Sequence, residues 1–235
     1  MRARLSLSLT SSFFLLAVAV LIPRSSAQDI FITPVANAPF SAVVNIERSI
    51  MKKDVSVVEI RNLREIGRDR QGRIHNESRE AVPASSAQTP RLRHVHLYDP
   101  QTRLSTEIDP RNRIFWTRVV NHPPSAEPPS LRFSAPEGQA PPNEFVKEDD
   151  LGVREIEGVS AHGLRQTQTL PADTDGTAIE IVDEYWYSSE LRINLLIKHS
   201  DPRTGTQTVT VGQITRTEPD PAFFEVPEGY TQRGN

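Results

Sequence analysis

The sequence predicts a mainly antiparallel β protein, and three observations predict it. Apolar residues recur at every second position, as in Ala42, Val44 and Ile46, the period of a strand with one buried face. Turn signals recur between such runs, at Asp69-Arg70-Gln71-Gly72, Asp99-Pro100-Gln101-Thr102, Asp109-Pro110-Arg111-Asn112 and Asp201-Pro202-Arg203-Thr204-Gly205. In these, Asp can close an Asx turn and Pro presets φ. No convincing amphipathic helix shows outside the N-terminal apolar run.

That run reads as an export signal. Arg2 and Arg4 form a short basic region, Leu5 to Ile22 an apolar stretch, and Pro23 breaks it before Ser25-Ser26-Ala27. Cleavage is expected after Ala27, so that residues 1–27 are a signal peptide; the competing reading is an uncleaved anchor. Residues 28–38 are expected to be a short leader. A single β domain should fill 39–230, interrupted by a Pro-rich loop at 121–150 and followed by a tail at 231–235.

Within that domain the first strand begins at Pro39. A second runs over Val55–Ile66, and a third over Arg73–Glu80 whose polar faces suit a sheet edge. Ala81 to Pro90 reads as loop. Strands then follow at Arg93–Tyr98, Arg103–Ile108 and Arg113–Val120. Beyond the Pro-rich loop come Val153–Glu157, Ser160–Leu170, Ala178–Tyr187, Leu191–His199 and Thr206–Thr217, joined by hairpin signals.

Composition narrows the function classes. Among 235 residues there is no cysteine, which removes disulfides, thiolate metal sites, Cys nucleophiles and a lipid-modified Cys anchor. Net charge is −3; residues 1–27 hold three arginines and no acid, so the remainder carries −6. A net-negative exported chain is a poor nucleic-acid binder. Arg-rich strands between Arg61 and Arg118 are expected to pair across the sheet with acidic ones. The expected address is periplasmic or secreted, with membrane contact only through the signal peptide.

Candidate chemistry is sparse. His94 and His96 lie on one face of a strand and could supply two metal ligands. Because Val95 and Leu97 look like the core side, the histidines are expected toward solvent. Trp116, Tyr185, Trp186 and Tyr187 are candidate ligand-lining aromatics, and the competing reading of all four is sheet core. The Gly-x-Ser-x-Gly, P-loop and His-Glu-x-x-His motifs are absent. No cofactor and no catalytic residue is expected.

The C-terminal third carries a family-like pattern: Gly152, Ile156, Gly158 and Val159, then Trp186 and Tyr187, then Asp201-Pro202, and finally Phe224 and Pro227. It resembles the LolA/LolB-like superfamily of exported bacterial proteins (lipoprotein carriers and sensor domains like them), mainly over residues 151–230. The resemblance implies a curved antiparallel sheet, an incomplete barrel, able to hold an acyl chain or a peptide. The expected function is thus non-enzymatic binding of a hydrophobic ligand, a lipid, a lipoprotein or an extended peptide. The alternatives are an envelope protein-interaction or sensor domain and, more remotely, a metal-dependent hydrolase.

Overall fold

The computed structural model describes residues 30–52, 54–121, 146–170 and 178–234. The strands are β1 (Phe40–Met51), β2 (Val57–Arg68), β3 (Ile74–Arg79), β4 (Val82–Pro83), β5 (Leu92–Asp99), β6 (Leu104–Asp109) and β7 (Ile114–Val119). They continue as β8 (Val146–Ile156), β9 (Val159–Leu170), β10 (Ile179–Ser188), β11 (Ile193–Asp201), β12 (Gly205–Thr215) and β13 (Thr231–Gln232). All thirteen belong to one sheet, ordered β13-β7-β6-β5-β3-β2-β1-β12-β11-β10-β9-β8, with β4 beside β2. The sheet is curved and open, and its pairings are antiparallel except β13 with β7. The mainly β, curved-sheet expectation holds.

β1 sits at the centre, between β2 and β12. Its alternation buries Phe40, Ala42, Val44 and Ile46 on one face, here called the core face. Register continues that face through Val209 and Val211 of β12, Ile197 of β11 and Tyr185 of β10. On the other side it continues through Ile66, Ile74 and Tyr98. Within the short leader expected at residues 28–38, Ile30, Ile32 and Thr33 are buried in this core.

Arg68 fastens that segment down. Fully buried, it donates Nε to the carbonyl of Ala38, one terminal nitrogen to Thr33 O and the other to Leu191 O, at 2.8, 2.8 and 2.9 Å. Burial first, then the charge of Arg192, pulls its guanidinium down to about 10, which leaves it charged at neutral pH. One cation thereby ties β2, the segment before β1 and the β10–β11 turn together.

β3 is not an edge. It pairs with both β2 and β5, and His75 and Glu77 are buried. The reason is long-range: after β12 the chain returns across the opposite face. There the 3₁₀ turn Pro221–Phe224 stacks Phe223 on the His75 ring at 3.7 Å between centroids. Val226 and Tyr230 pack on Val95, Leu97, Ile108 and Phe115, and Thr231 and Gln232 then join β7. Gly67 is required for this belt: a Cβ there would lie 2.8 Å from Phe223 Cε1 and 3.1 Å from Phe40 O.

The expected turns form as the side-chain chemistry asks. Asp99 Oδ1 accepts from the Gln101 and Thr102 amides, and Asp109 Oδ1 from those of Arg111 and Asn112. The Pro-rich loop is shorter than expected, since β8 already begins at Val146; residues 122–145 of it lie outside the described residues. So do the signal-peptide residues 1–27. The tail contributes β13.

Candidate functional site

The core face divides at β1. Over β1, β12, β11 and β10 it is apolar, with Val44, Val209, Val211 and Ile197 essentially without exposure. Over β2, β3, β5, β6 and β7 it is mostly polar: Asn62, Arg64, Asn76, Ser78, His94, His96, Ser105, Glu107 and Trp116 share it with Ile66, Ile74 and Tyr98. Register brings these together, pairing Asn76 with His96, His96 with Glu107, and Glu107 with Trp116.

In this polar half several groups satisfy one another. His94 Nε2 stands 2.6 Å from Glu107, and His96 Nε2 3.0 Å from Ser105 Oγ. Burial pushes the Glu107 carboxyl up, but the His94 bond and the charges of His96, His94 and Arg118 outweigh it and hold the group below its usual range. Burial pulls His96 down, and His94 and Arg118 add to that against Glu107. Other atoms find nothing. Asn62 Oδ1, Asn76 Oδ1 and Tyr98 OH are buried with no hydrogen-bond partner among the described residues. Asn62 Nδ2 donates to Arg79 O at 2.6 Å, which fixes its oxygen toward the interior. A buried acceptor left unmade costs about 1–3 kcal/mol. The three stand on the successive strands β2, β3 and β5.

Toward the β12–β10 side, the apolar floor ends in a cross-strand row at one level. Glu148, Gln166, Asp183, His199, Gln207 and Arg48 follow one another in register. They bond in pairs: Gln166 to Glu148 at 2.7 Å, His199 to Asp183 at 2.7 Å and Arg48 to Gln207 at 2.6 Å. The Asp183 bond raises His199 against its burial, and the Asp183 and Asp201 charges assist.

The four aromatic candidates do not meet. Trp116 is half-buried in the polar half, beside the His94 ring at 6.4 Å. Tyr185 is core in the dry half, and Tyr187 is half-buried beyond a bulge in the β10–β11 pairing. Trp186 points to the opposite face, held by Glu184 at 2.7 Å and covered by the Arg154 guanidinium at 3.8 Å. His94 and His96 do share a face, but it is the core face and not the solvent side. The C-terminal belt covers Val95 and Leu97, so both faces of β5 are occupied. Among the described residues no three His, Asp or Glu side chains gather as a metal cage.

The opposite face carries a charge ladder in register, Asp149, Arg165, Glu184, Lys198, Thr208, Glu47 and Arg61. Glu184 is bridged by Arg165 at 3.1 Å and Lys198 at 3.4 Å. These bridges lie outside the Arg61–Arg118 stretch for which cross-strand pairing is expected; within that stretch Arg79 meets Glu65 across β2 and β3 at 3.9 Å. A groove of about 660 Å³ runs over part of the ladder. Asn62, Asn76 and Tyr98 are legible in the sequence only as polar groups at core-parity positions; nothing local shows that they lack partners.

No protein-family model and no curated protein sequence matches the chain. Among solved structures it is similar to an uncharacterised conserved protein from Thermus thermophilus, at TM-score 0.40 and 11% identity over 83% of this chain and 90% of that one. It is similar to MucB at TM-score 0.40 and 9% identity, covering 84% of this chain and 60% of that one. A LolA superfamily protein from Nitrosomonas europaea gives TM-score 0.31 and 10% identity over 82% and 92%.

Proposed function

We propose that the protein is an exported, non-enzymatic binding protein that holds an amphipathic ligand, a lipid or an extended lipidated peptide, against the core face of its sheet. The observation that carries this reading is the set of buried, unpartnered atoms Asn62 Oδ1, Asn76 Oδ1 and Tyr98 OH. Asn76 and Tyr98 stand on the paired strands β3 and β5 and Asn62 on β2, in the half of the core face that also carries Trp116 on β7 and next to the apolar floor of the other half. Hydrogen-bond donors of a ligand head group would satisfy the acceptors, and its apolar body would lie on the floor and on Trp116. Native mass spectrometry of the chain exported with its own leader tests the reading. A lipid-sized mass adduct that Asn76→Leu abolishes is the expected result. A bare protein that also fails to bind a hydrophobic dye would sink it.

A second reading is favoured by a different observation. β8 is a strand of 11 residues, largely exposed and, among the described residues, paired only with β9. An envelope partner could add a strand there. Its charges and its register shift near Gly152 resist casual pairing, so such a partner would have to match them. Pull-down from periplasm with a β8 carrying Glu148→Pro tests this; unchanged recovery counts against it.

A further inference from the structure

The β1–β2 hairpin ends in an apolar tip that the fold does not use. Ile50, Val55 and Val57 are 40%, 74% and 53% exposed, and they are most of the large exposed apolar side chains among the described residues. Met51, half-buried, pairs with Val57, and Ile50 with Val58. Register alternation therefore puts apolar groups on both faces of the ribbon. The neighbouring segments meet the ribbon below its tip: the β11–β12 turn reaches Met51, whose N donates to Thr204 O at 3.0 Å, and the chain at β4 reaches Glu59, whose O accepts from Ala84 N at 3.0 Å.

The turn itself is built rather than loose. Lys52 N donates to Ser56 O at 2.8 Å, Val55 N to Lys52 O at 2.9 Å, and Ser56 Oγ to Asp54 Oδ1 at 2.6 Å. It holds Val55 at φ 63, in the left-handed region where a β-branched residue is a genuine outlier. Glycine or asparagine would sit there without that strain. The fold thus keeps a strained and water-exposed valine at its outermost turn, an arrangement that gains nothing in the isolated chain.

Charge indicates what covers it. Residues 50–57 hold Lys52 and Lys53 against one acid, Asp54, in a chain whose net charge is −3. A narrow tip of this size cannot supply the roughly 800 Å² per partner of a stable protein interface. It does suit a bilayer surface, where a few apolar side chains enter the headgroup boundary and neighbouring cations meet lipid phosphates. We propose that the β1–β2 tip docks the protein on anionic membrane surfaces, with Ile50, Val55 and Val57 inserted and Lys52 at the headgroups. This contact is separate from the leader and from the ligand site.

The test is co-sedimentation of the chain, recovered after export with its own leader, on vesicles with and without phosphatidylglycerol. Wild type should bind the anionic vesicles and leave pure phosphatidylcholine vesicles nearly bare. Val55→Asn removes the valine while relieving the backbone, so it should fold with an unchanged or higher melting temperature and lose binding about tenfold. Val57→Ser should weaken binding in the same direction. No wild-type binding, equal binding by Val55→Asn, or equal binding to neutral vesicles would overturn the proposal. So would a wild-type dimer that Val55→Asn converts to monomer while vesicles leave the protein in solution, because a second copy would then be the occupant.

Discussion

The two halves of the core face start from the same strand period and end differently. On the β12–β10 side of β1, every core-parity position up to the polar row is apolar and sealed. On the β2–β7 side the same parity carries Asn62, Arg64, Asn76, His94, His96 and Glu107, and part of their hydrogen-bonding capacity is unused. The dry half needs no more than hydrophobic burial to hold together. The polar half is held from behind, by the belt that stacks Phe223 on His75 and packs Val226 and Tyr230 on Val95 and Leu97. Sealed apolar packing and unused hydrogen-bonding capacity therefore lie in different halves of one sheet.

The largest effect should come from the residue that links the halves. Arg68→Leu leaves the carbonyls of Ala38, Thr33 and Leu191 unpaired in the interior, and urea unfolding should show a loss of about 3–5 kcal/mol. A loss under about 1 kcal/mol would mean that the segment before β1 is not part of the folded core. Next, Gly67→Ala pushes a methyl into Phe223 and should destabilise by about 1–3 kcal/mol. Amide exchange should rise in β13 and around Phe223, and not in β11.

Tyr98→Phe sharpens the contrast further. It deletes an unpartnered hydroxyl, so unfolding should change by no more than about 1 kcal/mol, in either direction. Adduct or dye binding should fall nonetheless. Parallel losses of both would make Tyr98 a plain core residue.

The smallest effect is a pH signature of opposite sign in the two halves. His199 is raised by its Asp183 bond, so its contribution is fully present below the unfolded pKa and is lost as pH rises through the folded one. His96 is lowered by burial, so the unfolded chain takes up the proton first and stability is lost as pH falls below the ordinary histidine value. Between mildly acid and neutral pH, His199→Gln should flatten the acid-side gain and His96→Gln the acid-side loss. Imidazole NMR titrations check both directions, and equal midpoints for the two rings would contradict the assignment.

Strand existence is written locally, because alternation and Asx-type turns depend on residues a few positions apart. That is why the order of hairpins from β5 to β7 and from β9 to β12 is legible in the sequence, along with the curved-sheet class. Part of the family-like motif is legible for the same reason: Gly158 and Asp201 stand at turns, whereas Gly152 sits at a register shift inside β8, and both glycines take positive φ. Sequence and structure part wherever a remote segment decides burial. β3 reads as an edge because nothing near it announces the belt arriving from Pro221–Phe224. His94 and His96 read as solvent-facing because Val95 and Leu97 look like the single core side.

The sequence by itself determined the strand period, the turn chemistry, and the lack of cysteine and of a P-loop motif. The tertiary structure alone decided that β1 is central, that Ile30 and Ile32 are core, and that Trp186 leaves the face Tyr185 occupies to pack under Arg154. It alone left Asn62 Oδ1, Asn76 Oδ1 and Tyr98 OH buried on three successive strands without partners among the described residues. The physical reason is that period and turn type depend on neighbours along the chain. Which polar atoms lose water, and whether anything replaces it, depends on strands and belts brought together from far apart in sequence.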